Sequence, residues 1–159
     1  LGEAIGSWLA GRSERILLIG SGGLSHDPPV PQWATASEEQ RALLLAGRQP
    51  TEQARDARQQ RVIDAAAAFA RGEATIMDLA PDWDAEFMRV CASGGPTGFD
   101  AYSADEMARV AGNSAHEVRT WVAAFSALAA AGPYQVESQF YRAIPEYIAG
   151  FGTMTARQS

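Results

Sequence analysis

The amino-acid sequence predicts a helix-dominated α/β fold, in which residues 1–159 form one domain or part of one. Three observations support this class. A short apolar run from Arg15 to Gly20 is typical of a buried strand. Helix-start and helix-stop signals then recur from Ser37 to Gly132. Finally, the alternating segment 134–142 predicts a second strand, which Pro145 ends.

Six helices are expected around these strands, because polar caps and glycines mark their ends. A helix over 1–10 stops at Gly11. Helices also follow Ser37 and Thr51, and these end near residues 46 and 72. A further helix covers 82–91. The patterns Ser103-Ala-Asp-Glu and Ser114-Ala-His-Glu are capping boxes that predict the last two helices, which end at Gly112 and Gly132.

Composition and charge exclude several classes of protein. The net charge is −6 and all 13 basic residues are arginine, without a basic stripe, which argues against a nucleic-acid partner. No stretch approaches the roughly 20 apolar residues that cross a bilayer, so no membrane partner is expected. The single cysteine, Cys91, excludes an internal disulfide framework and favours a reducing cytoplasm.

The first candidate site is the loop Gly20-Ser-Gly-Gly-Leu-Ser-His-Asp-Pro-Pro29, which follows the predicted strand. Ligands of open α/β sheets bind beyond the carboxyl ends of strands, and an imidazole titrates near neutral pH. His26 is therefore a candidate for proton transfer. The glycines predict a loop that is flexible before His26, and the prolines predict a stiff one after it. A plain turn, a phosphate loop and a serine nucleophile remain alternatives, although the GxxxxGK[ST] and GxSxG motifs are absent.

The second candidate is Glu117, which shares helical spacing with Trp121, Phe125 and Leu128 and is expected on their apolar stripe. A carboxylate there needs a partner, because burying a bare charge is costly. The capping box explains Glu117 completely, and a metal ion is the alternative; the two roles are compatible. His116 is turned by about 100° from this stripe.

The two histidines, His26 and His116, are too few for a three-histidine zinc site. A site of two histidines and one carboxylate would use both and leave no histidine for proton transfer. Together with a start at Leu1 that resembles the interior of a helix, this count predicts further sequence upstream. Other features have structural interpretations: Asp78, Asp82 and Asp84 as helix caps, Cys91 as a core thiol, and the aromatic residues Phe140, Tyr141, Tyr147 and Phe151 as core.

Four segments resemble the class III extradiol catechol dioxygenases. The most distinctive are GSGGLSHDPPVP, at residues 20–31, and AGNSAHEVRTWVAAFSALAAAG, at residues 111–132. RQQRVIDAAAAF (58–69) and FYRAIPEYIAGFG (140–152) agree as well, in the same order, so the resemblance covers nearly the whole chain. It implies that the chain is the C-terminal half of one catalytic domain.

The resemblance implies extradiol ring cleavage of a catechol by O2, with one ferrous iron, Fe(2+), held by two histidines and a glutamate. By position, His26 matches the acid/base histidine, Glu117 the glutamate ligand, and Pro28 a proline that shapes the substrate pocket. The histidine ligands and a second catalytic histidine belong to the family's N-terminal half, so the isolated chain is expected to be inactive. The expected partners are the catechol, O2, and the missing half or further copies of the chain.

Two other functions remain open at this point. The second option is a non-catalytic, α-rich interaction or subunit module derived from the same family. A native start near Leu1 would favour it. A phosphate-binding protein built on Gly22 and Gly23 is the third option, but the chain has neither a lysine nor a fitting motif.

Overall fold

A computed structural model describes residues 1–47 and 50–159 and confirms the α/β class. Within these residues, six α-helices and two strands follow one another. They are α1 (Gly2–Leu9), α2 (Glu38–Ala46), α3 (Glu52–Ala70), α4 (Pro81–Ala92), α5 (Ala104–Ala111), α6 (Arg119–Ala131), β1 (Tyr134–Ile144) and β2 (Ala149–Gln158). Short 3₁₀ turns cover Pro96–Ala101, Asn113–Val118 and Pro145–Tyr147. In this described part of the chain, every helix is too short or too polar to cross a membrane.

The described residues form two compact units. That both belong to the C-terminal part of one catalytic domain stays a prediction. The first unit comprises Leu1–Asp27, Met77–Ile144 and Ala149–Ser159, and the second comprises Pro28–Ile76 and Pro145–Ile148. The second unit contains α2 and α3, and α3 packs against the 3₁₀ turn at Pro145–Tyr147. Its helices begin as predicted: Ser37 and Gln40 form a reciprocal capping box, and the Thr51 side chain accepts from the amide of Ala54.

The core of the first unit lies between α4, α5, α6 and the loop before His26. Its buried members are Leu24, Phe87, Met88, Val90, Cys91, Phe99, Met107, Val118, Trp121 and Phe125. Helix α1 packs closely on α6, and only glycine fits at the contact. A Cβ at Gly6 would lie 2.1 Å from the carbonyl oxygen of Ala127. Three of the four aromatic residues assigned to the core from sequence, Phe140, Tyr147 and Phe151, are exposed instead.

The predicted strand at 15–20 is wrong for this structure. Within the described residues, that segment pairs with no strand, and Leu17 and Ile19 are 81% and 79% exposed. A strand needs a neighbour for its backbone N–H and C=O groups, and apolar sequence alone does not supply one. The predicted strand at 134–142 is confirmed as β1, which pairs with β2 in an antiparallel hairpin.

Cys91 lies fully buried on α4, and its surroundings determine its reactivity. Burial raises the pKa of the thiol to about 12. Because the thiolate is the reactive form, we expect the native protein to react with a disulfide reagent at pH 8 at least about 100-fold more slowly than the guanidinium-unfolded protein. Absorbance of the released thiolate measures both rates. Equal rates in the two states would contradict the buried position of Cys91.

Candidate active site

The loop before His26 is held along its backbone, contrary to the flexibility that its glycines suggest. The amide of Leu24 donates to the carbonyl of Gly150 at 3.2 Å, and the amide of Gly150 donates to the carbonyl of Ser25 at 2.7 Å. The amide of His26 donates to the carbonyl of Ala111 at 2.9 Å. The loop therefore lies between the start of β2 and the end of α5, with its backbone groups satisfied.

The two nitrogens of the His26 imidazole have different neighbours: Nδ1 is hydrogen-bonded to the backbone, and Nε2 lies near Glu117. Its Nδ1 lies 2.7 Å from the carbonyl oxygen of Leu24. A carbonyl oxygen only accepts, so Nδ1 carries the hydrogen, and in the neutral ring Nε2 carries the free lone pair. The side chain is 12% exposed. The neutral ring is thus arranged to accept a proton at Nε2.

Two glycines make room for this histidine. A Cβ at Gly23 would lie 2.7 Å from Cε1 of His26, so the ring occupies the space that a side chain would fill. Gly112 has a φ of +97°, and a Cβ there would lie 2.4 Å from the carbonyl oxygen of His26. Larger residues at these positions would displace the imidazole or its backbone.

Glu117 lies beside the loop, and the structure brings it to His26. Its Oε2 accepts from the amide of Gly23 at 3.1 Å and lies 3.7 Å from Nε2 of His26. The Glu117 side chain is 59% exposed, so the attraction between the two groups is screened by water. The pair places a proton acceptor next to a carboxylate that has further room for a ligand.

The surroundings of Glu117 differ from the sequence prediction. Residues Asn113–Val118 form a 3₁₀ turn, α6 begins only at Arg119, and the described residues supply no side-chain cap for either. The capping box at Ser114 is therefore wrong, and so is the buried stripe position of Glu117. A 3₁₀ turn has three residues per turn, so the helical spacing of α6 does not extend back to Glu117.

Further hydrogen bonds tie the loop to the segment around Glu117. The Thr120 hydroxyl donates to the carbonyl of Ser21 at 2.8 Å, and the Trp121 indole donates to the carbonyl of Gly22 at 3.0 Å. Asp27 accepts from the backbone amide of Asn113 at 3.2 Å. The loop is thus fixed to this segment both before and after His26.

Sequence reasoning missed Asp84, which it treated as a helix cap. Asp84 is fully buried and accepts three hydrogen bonds, each of 2.7 Å, from the amide of Ser25, the hydroxyl of Ser25 and the hydroxyl of Tyr141. Burial raises the pKa of its carboxyl, while the hydrogen bonds and the nearby His26 act in the opposite direction. Helical spacing contained a signal, because Asp84 precedes the apolar residues Phe87 and Met88 by one turn.

For two other residues singled out from the sequence, no hydrogen bond to His26 or Glu117 is found among the described residues. Pro28 belongs to the second unit, where its carbonyl accepts from the amide of Val30 at 2.7 Å. The Nδ1 atom of His116 is buried and has no hydrogen-bond partner among the residues described. The pocket role of Pro28 stays a prediction.

Glu117 fits the part of one oxygen ligand to a metal ion, since its carboxylate is exposed and oriented by a backbone amide. The described residues contain no group of three or more His, Cys, Asp or Glu side chains that would hold a metal.

Comparison with known proteins defines the class. The family model described as the catalytic LigB subunit of aromatic ring-opening dioxygenase matches residues 1–152, so the chain belongs to this family of class III extradiol dioxygenases.

Individual relatives are more specific. The chain is 61% identical over 155 residues to the 2,3-dihydroxyphenylpropionate/2,3-dihydroxicinnamic acid 1,2-dioxygenase of Rhodococcus globerulus. The matched region covers 98% of this chain and 49% of that protein. Proteins of the same name from Rhodococcus rhodochrous and Cupriavidus pinatubonensis are 59% and 52% identical over 156 residues. The chain spans about half the length of these relatives.

Proposed function

We propose that this chain is the C-terminal half of an Fe(II)-dependent dioxygenase that opens the ring of a catechol with O2 in aromatic-compound catabolism. The observation that carries the proposal is the 3.7 Å approach of His26 Nε2 to Glu117 Oε2 across the glycine-rich loop. Family membership and the names of the relatives support the reaction class, and the names suggest 2,3-dihydroxyphenylpropionate or 2,3-dihydroxycinnamate as substrate.

In this proposal, Glu117 supplies one carboxylate ligand, and two histidines outside the chain supply the others. An iron ion bound there would supply the redox chemistry that lets O2 react with the catechol. The Gly23 amide holds one oxygen of Glu117 and thereby orients the carboxylate.

His26 acts as the proton carrier. Its Nε2 accepts a proton from a catechol hydroxyl and becomes a donor, which returns the proton to an oxygen of the opening ring. Nδ1 keeps its hydrogen bond to the carbonyl of Leu24 in both protonation states, so the ring does not need to turn between the two transfers.

From the family resemblance we also propose that Pro28 shapes the substrate pocket. Its fixed φ would keep the chain beyond His26 in an extended path. The single, buried cysteine is compatible with a reducing compartment, and we propose the cytoplasm as the place of action.

The test is ring cleavage by the protein expressed from its complete reading frame. We expect this protein, reconstituted with Fe(II) without air, to convert 2,3-dihydroxyphenylpropionate and O2 into a yellow product, followed by absorbance and oxygen uptake. The matched monophenol, 3-(2-hydroxyphenyl)propionate, should give no product because it cannot chelate iron through two oxygens.

The 159-residue chain alone is the second arm of the experiment. We expect it to show neither turnover nor stoichiometric iron, because Glu117 is the ligand that it contributes. An iron-loaded complete protein without turnover on any catechol would exclude the enzyme and favour the non-catalytic module. Turnover by the 159-residue chain would show that the ligand set is wrong.

A further inference from the structure

We infer that Asp84 is a positioning residue for His26, acting through the peptide group that joins Leu24 to Ser25. This inference rests on the proposed role of His26 as the proton carrier. It assigns a function to a buried carboxylate that proton transfer and metal binding leave unused.

Asp84 and His26 are connected through one rigid peptide group, the one between Leu24 and Ser25. Asp84 Oδ1 accepts from the amide of Ser25 at 2.7 Å. That amide shares its peptide plane with the carbonyl of Leu24, whose oxygen accepts from Nδ1 of His26 at 2.7 Å. Any tilt of this plane moves the acceptor of the imidazole, so the carboxylate sets the direction of the ring.

Polarisation acts along the same path. A hydrogen bond to an ionised acceptor is stronger than a neutral one, and linked hydrogen bonds polarise one another. An ionised Asp84 strengthens the hydrogen bond from the Ser25 N–H. Because this N–H shares a peptide group with the Leu24 carbonyl, the Leu24 oxygen becomes a stronger acceptor. The stronger acceptor keeps the hydrogen on Nδ1, so that Nε2 remains the atom that exchanges protons.

The other contacts of Asp84 hold the carboxylate in place. Its Oδ2 accepts from the hydroxyls of Ser25 and Tyr141. The Ser25 hydroxyl also accepts from the amide of Ala80 at 3.0 Å. Three donors around two oxygens suit an ionised carboxylate, which accepts only.

Strand β2 approaches Asp84 so closely that glycine is required there. A Cβ at Gly150 would lie 2.0 Å from Asp84 Oδ2 and 3.1 Å from the Ser25 hydroxyl. Gly150 is also the residue whose backbone pairs with Leu24 and Ser25. The carboxylate and the strand therefore hold the same short segment from two sides.

The experiment compares Asp84→Asn with Asp105→Asn in the protein expressed from its complete reading frame. Asp105 is exposed in the first turn of α5 and provides the same chemical change away from the loop. We expect Asp84→Asn to lower kcat by about 10- to 100-fold, with KM within about twofold and unchanged iron content. Asp105→Asn should match the unmodified protein in all three quantities.

Imidazole ¹⁵N spectra give a readout that does not depend on turnover. His26 should show the Nδ1–H tautomer in the unmodified protein and a mixture of tautomers in Asp84→Asn, with its signals assigned by their loss in His26→Gln. A purely structural role would lower the melting temperature without changing the tautomer or separating kcat from KM. A folded Asp84→Asn variant with unmodified kcat and tautomer would overturn the inference.

Tyr141→Phe provides a milder variant if Asp84→Asn does not fold. It removes one donor from Oδ2 and leaves the bond between Oδ1 and the Ser25 amide. We expect a loss in kcat of about two- to fivefold with a partial change of tautomer, and the absence of both would overturn the inference. If the unmodified protein cleaves no catechol, the proposed function fails, while the tautomer comparison still decides whether Asp84 controls His26.

Discussion

Replacement of His26 by alanine is expected to lower kcat for ring cleavage by about 10²- to 10⁴-fold, the usual contribution of a general acid–base group. The physical reason is that, in the proposed reaction, Nε2 accepts the catechol proton and returns it, and alanine has no group that does either. Iron content should not change, because His26 binds through Nδ1 to a backbone carbonyl in this structure. Steady-state product absorbance and iron analysis of the same protein samples measure the two quantities.

The matched control for this change is His116→Ala. Both substitutions remove one imidazole, but the Nδ1 atom of His116 is buried and lies outside the described hydrogen-bond network. We expect His116→Ala to retain kcat within about threefold, provided that its melting temperature shows a folded protein. If both variants kept full turnover, the acid–base role of His26 would be excluded.

Replacement of Glu117 by alanine should remove iron as well as activity. The carboxylate is the one ligand that this chain contributes in the proposed site, and two neutral histidines would hold Fe(II) weakly without it. We expect iron content after gel filtration to fall to a small fraction of the unmodified value and kcat/KM to fall by at least about 100-fold. Excess Fe(II) in the assay should restore part of the activity.

Glu106→Ala is the control for the loss of a carboxylate. Glu106 is an exposed glutamate whose side chain, 55% accessible, pairs with Arg109 at 3.8 Å, and this exposure is close to that of Glu117. Its removal should leave iron content and turnover unchanged. Full iron occupancy in Glu117→Ala would disprove the ligand assignment. It would not affect the acid–base role of His26, which the His26→Ala variant tests separately.

Local signals in the sequence predicted the helices well. Ser37, Thr51 and Ser103 each accept from a backbone amide three residues ahead, as their positions suggested. Such caps depend on residues within one turn, so the local sequence contains the whole interaction. The same reasoning failed at Ser114, where the backbone forms a 3₁₀ turn that the pattern of residue types does not distinguish.

Strands were harder to predict, because a strand is completed by residues far away in the chain. The apolar run at 15–20 has no partner within the described residues and is not assigned as a strand. Strand β2 was missed, since Gly150 and Gly152 on its inner face leave little apolar alternation to detect. These glycines reflect close approach to Asp84 and Leu24, which only the folded chain reveals.

The sequence by itself determined the helix boundaries other than the start of α6. It also determined the glycine-rich loop with His26 and a resemblance to extradiol dioxygenases that the family comparison confirms. Only the tertiary structure joined Gly23 to Glu117 across 94 residues and Ser25 to Asp84 across 59 residues. The reason is physical: a cap or a turn forms between neighbours, whereas these contacts exist only after the core has brought α4, α6 and β2 to the loop. Asp84 therefore looked like a helix cap in the sequence, whereas in the fold it is buried and hydrogen-bonded to Ser25.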